Sequence, residues 1–236
     1  ASQAGLDMLK AGGNAVDAAV AAAFAIGVVE PNSNGIGGEG LMVIYLVRGR
    51  RAVAIDHRST APAGASFPGR IPDSGPASAA VPGTVAGLGL ALEKYGTLPL
   101  AQVLGPAIKL AADGFAVSPT LAGIILDQFE VLSKDKELAE VFCPDGLPLE
   151  AGDVLRNPGL AESLRKIAAG GRDVFYRGEL AAAIDAEMRA RGGFIDKDDL
   201  AGYKAVERAP VRGAYRKHRL VSAPPPVGGL AVVETL

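Results

Sequence analysis

NSNGIGGEGLMVIYL, residues 32–46, holds Gly35, Gly37 and Gly40 at the spacing G-x-G-x-x-G. A dinucleotide-binding loop of that spacing lies after a strand and opens a helix, so that backbone N–H groups and the helix dipole meet a pyrophosphate. Here the order is reversed. The preceding NAVDAAVAAAFAIGVVE, residues 14–30, is Ala-rich and helix-favouring, and the following LMVIYLV, residues 41–47, reads as a buried strand. The glycines therefore predict a turn between a buried helix and a core strand, where they permit positive φ and close backbone approach. No cofactor is implied.

Outward from that turn, helices are expected over residues 2–10 and 15–29, with Asn14 as N-cap of the second. Strands are expected over 41–47 and 52–57, joined by a turn carrying Gly49. Residues 60–82, rich in Pro, Gly, Ser and Ala, form a long aperiodic loop, a length that points to function or mobility. Helical patterns follow at 83–95, 100–113, 118–133, 158–169 and 178–191. IDKDDL starts a short helix at about 196, and a second β pair spans about 211–222 before Pro224-Pro225-Pro226. Strands at both ends of the sequence with helices between suit a sheet assembled from distant segments and covered by helices. The class is α+β, layered, and the 236 residues are read as one domain.

A formal net charge of −2 without a long basic run excludes the electrostatic footprint of a nucleic-acid binder. Two histidines and one cysteine make a structural zinc site a poor fit, and no other metal is implied. The single Cys143 excludes an intrachain disulfide. Residues 13–28 are the most apolar segment, but Asp17 interrupts them and the run is too short for a membrane span. The sequence opens without Met on a helical pattern and stops in GLAVVETL, which reads as a helix beginning; a piece of a longer polypeptide is expected.

The stretch AVAIDHRSTAP, residues 52–62, carries the chemistry. Alternation puts Val53, Ile55 and His57 on one face and Ala54, Asp56 and Arg58 on the other. An Arg at the exit of a buried strand is well placed to grip a carboxylate bidentately. Spacing alone favours the plainer reading, an ion pair between Arg58 and its same-face neighbour Asp56. A hydrolytic triad from Asp-His-Arg is weak, because adjacent strand side chains point apart and a triad is defined by spatial roles. His218 reads as a solvated strand residue and Cys143 as an inert thiol. DKDD at 196–199 reads as acidic residues complementing a helix start, not as a metal cluster.

Taken in order, AGGNAVDAAVAAAFAIGVVEPNSNGIGGEG, AIDHRSTAPA, VPGTVAGLGLALEKYGTLPLAQVLGPAIKLAADGFAVS, GGFIDKDDLAGYKAVERAPVRGAYR and SAPPPVGG resemble the large subunit of the gamma-glutamyltranspeptidase family. The resemblance implies an N-terminal-nucleophile (Ntn) hydrolase fold, a four-layer αββα sandwich that is incomplete in this chain. It also implies a precursor that cuts itself into two subunits, with a small subunit as partner. The nucleophile would be the threonine that becomes the small subunit's N-terminus. Its freed α-amine, of pKa near ~8, takes the hydroxyl proton as the oxygen attacks an amide carbonyl. Thr60, Thr84, Thr97, Thr120 and Thr235 match no such motif, so the catalytic residue is expected outside these residues.

By the same resemblance Arg58 binds the α-carboxylate of the γ-glutamyl donor, which reverses the preference for a mere ion pair. The expected activity is γ-glutamyl transfer or hydrolysis, with glutathione and other γ-glutamyl amides as donors and amino acids, peptides or water as acceptors. A periplasmic or secreted location goes with it. The sequence departs from the family's typical pattern at three places. Ser59 stands where an acidic residue usually follows the arginine, Gly37-Gly-Glu-Gly-Leu41 replaces GGGGF, and Val227 stands where Ser-Ser precedes Gly-Gly. Relatives with altered motifs are acylases or amidohydrolases with other donors, and a non-catalytic relative is the remaining alternative.

Overall fold

The computed structural model describes residues 1–67 and 69–236; within the loop 60–82, position 68 lies outside the described residues. The chain forms two compact units, one of residues 1–35 and 96–171, the other of residues 36–95 and 172–236.

The first unit is mainly helical. Ser2–Lys10 packs on Ala15–Val29, which packs on Leu100–Asp113, and that helix in turn packs on Pro158–Gly170. Val20, Phe24, Val103, Leu104, Leu164 and Ile167 are buried there, and Ala21, Ala25, Ala107 and Ala161 let the helix axes approach. Ala15–Val29 begins as expected: the Asn14 side chain accepts from the amides of Val16 (2.8 Å) and Asp17 (3.1 Å). Asp17 returns the favour to the Asn14 amide at 2.7 Å, which completes a capping box.

Asp17 does more than cap. It is wholly buried, and it accepts from the Thr97 amide (2.9 Å), the Thr97 hydroxyl (2.6 Å) and the Leu98 amide (3.0 Å). Burial pushes its carboxyl up, but the hydrogen bonds from Thr97, Leu98 and Asn14 outweigh that and hold it below its ordinary value. The one acid in the apolar helix thus ties the turn before Leu100–Asp113 to the helix start.

A smaller core of Val117, Leu121, Ile125, Leu149 and Leu155 forms beside the short antiparallel pair Phe115–Ala116 and Val154–Leu155. The single helix expected over 118–133 is instead two, Pro119–Asp127 and Phe129–Leu132, with Gln128 (φ −99, ψ 7) between them. Lys136–Phe142, started by the Asp135 carboxylate on the Glu137 and Leu138 amides (both 3.1 Å), was not anticipated.

The second unit holds the sheet. Strands β1 (Gly40–Leu46) and β2 (Arg51–His57) form the expected hairpin, with Gly49 and Arg50 at positive φ in the turn. A third strand, β3 (Val206–Arg208), pairs antiparallel with β2 through Ala54↔Arg208 and Asp56↔Val206. The sheet is thus assembled from distant segments, as the element order implies. The helix Thr84–Tyr95 packs on β1 and β2. Its approach needs glycine: a Cβ on Gly87 would overlap the His57 ring, and one on Gly83 would overlap the His57 carbonyl. The hairpin Val211–Tyr215/His218–Ser222 is present and packs against the helix Gly229–Thr235.

The glycine-rich turn has the polarity opposite to a phosphate loop. The Gly38 carbonyl accepts from the amides of Gly83 (2.9 Å) and Thr84 (3.1 Å), at the start of Thr84–Tyr95. A protein oxygen therefore satisfies that helix N-terminus, where an anion would otherwise be held.

Candidate functional site

The register of the hairpin builds the site. Gly40 pairs with His57, so the residues one step further, Glu39 and Arg58, leave the sheet opposite each other. Glu39 Oε1 lies 3.1 Å from Arg58 Nη2, and the two side chains are 37% and 40% exposed. Glu39 Oε2 accepts from the Ser59 amide (2.7 Å) and the Ser59 hydroxyl (2.6 Å). The Ser59 hydroxyl and amide hold the Glu39 carboxyl below its ordinary value against the opposing effect of burial, and the Arg58 charge adds to them.

Arg58 is not paired with Asp56, which corrects the ion pair that spacing alone favours. Asp56 takes Arg208 of β3 at 2.7 Å and meets Arg58 only through its backbone amide, at 3.2 Å. Strand β3 supplies the competing cation, and nothing local to the stretch around Arg58 announces it. The Arg58 carbonyl accepts from the Tyr203 hydroxyl at 2.8 Å. Tyr203 stacks on Tyr176, whose hydroxyl donates to the Pro82 carbonyl at 2.8 Å. Burial, with Asp56 and Glu39 nearby, pushes Tyr203 up to about 12, so it remains a proton donor across the physiological range. The backbone at Arg58 is pinned while its guanidinium remains partly open to solvent.

His57 points to the other side. It is buried against Gly40 and Gly87, and among the described residues its Nδ1 has no hydrogen-bond partner. Burial lowers its pKa, with Asp56 and Glu39 opposing, so the ring packs as a neutral group beneath the site. The remaining candidates occupy structural places. Burial pushes the Cys143 thiol up, His218 is an exposed strand residue, and Asp196 caps Lys197–Gly202 through the amides of Asp198 and Asp199 (both 2.8 Å). Thr60 bridges Val81 through the backbone, Thr97 serves Asp17, and the Thr235 hydroxyl donates to Ala231. Sequence reasoning missed the contact of Glu39 with Ser59 and Arg58. The signal was available, because a hairpin with its turn at Gly49 brings residue 39 across from residue 58.

The gamma-glutamyltranspeptidase family model matches residues 1–236. The chain belongs to the gamma-glutamyltranspeptidase family. It is 46% identical over 248 residues to the glutathione hydrolase proenzyme of Escherichia coli strain K12, covering 100% of this chain and 43% of that protein. It is 45% identical over 242 residues to the acylase ACY 1 proenzyme of Pseudomonas sp. strain SE83, covering 96% of this chain and 43% of that protein. The crystal structure of Helicobacter pylori gamma-glutamyltranspeptidase superposes with a TM-score of 0.92 at 39% identity, covering 97% of this chain and 68% of that one. The chain thus spans about 43% of the length of the curated relatives it matches. Its α+β fold is part of the Ntn-hydrolase architecture of this family. In this light, two of the departures from the typical pattern, Glu39 and Ser59, are hydrogen-bonded to each other. Among the described residues no helix is long and apolar enough to cross a membrane.

Proposed function

We propose that this chain is the large-subunit portion of a self-cleaving enzyme that transfers γ-glutamyl groups to amines or water. The observation that carries this reading is the state of Arg58. It sits at the open end of a buried strand with its carbonyl held by Tyr203, and Asp56 is neutralised elsewhere by Arg208. A partly exposed guanidinium on that pinned backbone, with the Glu39 carboxylate 3.1 Å away, suits the α-carboxylate of a γ-glutamyl donor. Similarity to a protein named glutathione hydrolase proenzyme supports the donor class. The nucleophile is assigned to a small subunit cut from the same precursor. There a new N-terminal threonine would attack the γ-amide and its own α-amine would take the proton. The acyl group then passes to water or to an amino-acid amine.

A second reading, an acylase with another acyl donor, is favoured by the similarity to the acylase ACY 1 proenzyme and by the altered Glu39–Ser59 corner. Assay of the full-length, processed protein on a panel of p-nitroanilides separates the two. The first reading expects γ-glutamyl-p-nitroanilide to exceed acyl anilides without an α-carboxylate by at least about tenfold in kcat/KM, the worth of one charge-assisted contact. Preference for an acyl group without that carboxylate would establish the second reading, and an uncut, inert precursor would exclude both.

A further inference from the structure

We infer that Tyr203 is a positioning residue for the reaction, acting through the backbone of Arg58 and not by contact with the donor. This rests on the reading of Arg58 given above. The Arg58 carbonyl and the Ser59 amide belong to one planar peptide group, and that group is held at both edges. The Tyr203 hydroxyl donates to the Arg58 carbonyl at 2.8 Å, and the Ser59 N–H donates to Glu39 Oε2 at 2.7 Å. The Arg58 N–H, on the other side of the Cα, donates to Asp56 Oδ1 at 3.2 Å. The peptide cannot rotate without breaking one of these bonds.

Tyr203 is itself held from several directions. It follows the helix Lys197–Gly202, which the wholly buried Leu200 anchors and whose Asp199 accepts from the Ala63 amide at 2.8 Å. Its ring stacks on that of Tyr176, with centroids 5.4 Å apart and planes 12° from parallel. The Tyr176 oxygen donates to the Pro82 carbonyl at 2.8 Å and accepts from the Ala86 amide at 3.2 Å. Gly83 completes the seat, because a Cβ there would overlap the Tyr203 hydroxyl. The end of β2 thus takes its position from a residue 145 places along the chain. The guanidinium hangs from this peptide by a flexible side chain, so the backbone sets which positions its rotamers reach. Loosening the peptide widens that set, and carboxylate binding then has to restore the order that Tyr203 supplies in advance.

The test uses the full-length, self-cleaved protein and two substrates that differ only in the α-carboxylate, γ-glutamyl-p-nitroanilide and 4-aminobutanoyl-p-nitroanilide. Tyr203→Phe keeps the stacked ring and removes the hydroxyl. It is expected to lower the ratio of kcat/KM, γ-glutamyl over 4-aminobutanoyl, about threefold to tenfold, chiefly by raising the γ-glutamyl KM. Where 4-aminobutanoyl turnover is too slow to follow, its inhibition constant is read instead, and the γ-glutamyl KM should rise by the larger factor. Tyr176→Phe is the structural control. It keeps the ring beside Tyr203 but loses the bonds to Pro82 and Ala86, so it should lower the melting temperature and keep the wild-type ratio. Equal losses on both substrates with Tyr203→Phe would reduce Tyr203 to a support of the fold and overturn the proposal, as would no change on either. The same selective loss with Tyr176→Phe would overturn it too, since general loosening would then suffice. Arg58→Lys run alongside separates the two levels. If it lowers the ratio and Tyr203→Phe does not, the failure belongs to Tyr203 alone; if it leaves the ratio unmoved, the reading of Arg58 itself fails and this proposal with it.

Discussion

Arg58→Lys in the full-length, processed protein should lower kcat/KM on γ-glutamyl-p-nitroanilide by about tenfold to a few hundredfold. Lysine keeps the positive charge and can keep the ion pair with Glu39, but it lacks the planar fork that holds a carboxylate bidentately. A lost hydrogen bond to a charged partner costs about 1.5–3 kcal/mol, and about 1.4 kcal/mol is a factor of ten in rate. Self-cleavage should be nearly unaffected, because the scissile peptide presents no α-carboxylate to this site. The competing view is that Arg58 serves only to neutralise Glu39, 3.1 Å away. In that case Lys would substitute with little loss, since exposed ion pairs contribute about 0–1 kcal/mol and are not specific to the fork. Steady-state kinetics together with the extent of processing on the same preparation decide between them.

The largest effect on stability is expected at Asp17. Asp17→Ala strands the amides of Asn14, Thr97 and Leu98 and the Thr97 hydroxyl around a buried position. Leaving such donors unsatisfied costs about 1–3 kcal/mol each, and because they form one network their sum is not additive; about 3–5 kcal/mol in total is expected. The pH dependence has a definite sign. The folded-state pKa of Asp17 lies below its ordinary 3.8, so its stabilisation is complete above that value and is lost as pH falls through the lower, folded-state value. Asp17→Asn should therefore be milder than Ala near neutral pH and should lose that acid-side share of the pH dependence. Urea midpoints at pH 7 and below pH 4 measure both effects, and a loss under about 1 kcal/mol for Ala would contradict the keystone role.

The legibility of this molecule in its sequence followed the range of the interactions. The β1–β2 hairpin was readable because alternation and a turn glycine are local, and so was the Asn14 cap, whose partners Val16 and Asp17 lie within three residues. The three-residue β3 was invisible, since VER acquires strand character only by pairing with β2. That same strand carries Arg208, so the assignment of Asp56 to Arg58 was bound to fail without it. Asp17 was recognisable as an interruption of an apolar helix, but its partners Thr97 and Leu98 are some eighty positions away. Arg58 emerged from the pattern of a buried strand ending in a cation. Glu39 was noticed as a departure within a run of glycines, and only the hairpin register shows that it faces Arg58 and Ser59.

We assign the activity to an enzyme made by self-cleavage of a precursor that contains this chain. Its most direct measurement is a time course of the freshly purified full-length precursor, following the cut by intact mass and the release of p-nitroaniline from γ-glutamyl-p-nitroanilide in parallel samples. Turnover is expected to rise in proportion to the cleaved fraction, with threonine at the new N-terminus. An uncut precursor that turns over the substrate at full rate, or a fully cleaved protein that never does, would contradict it.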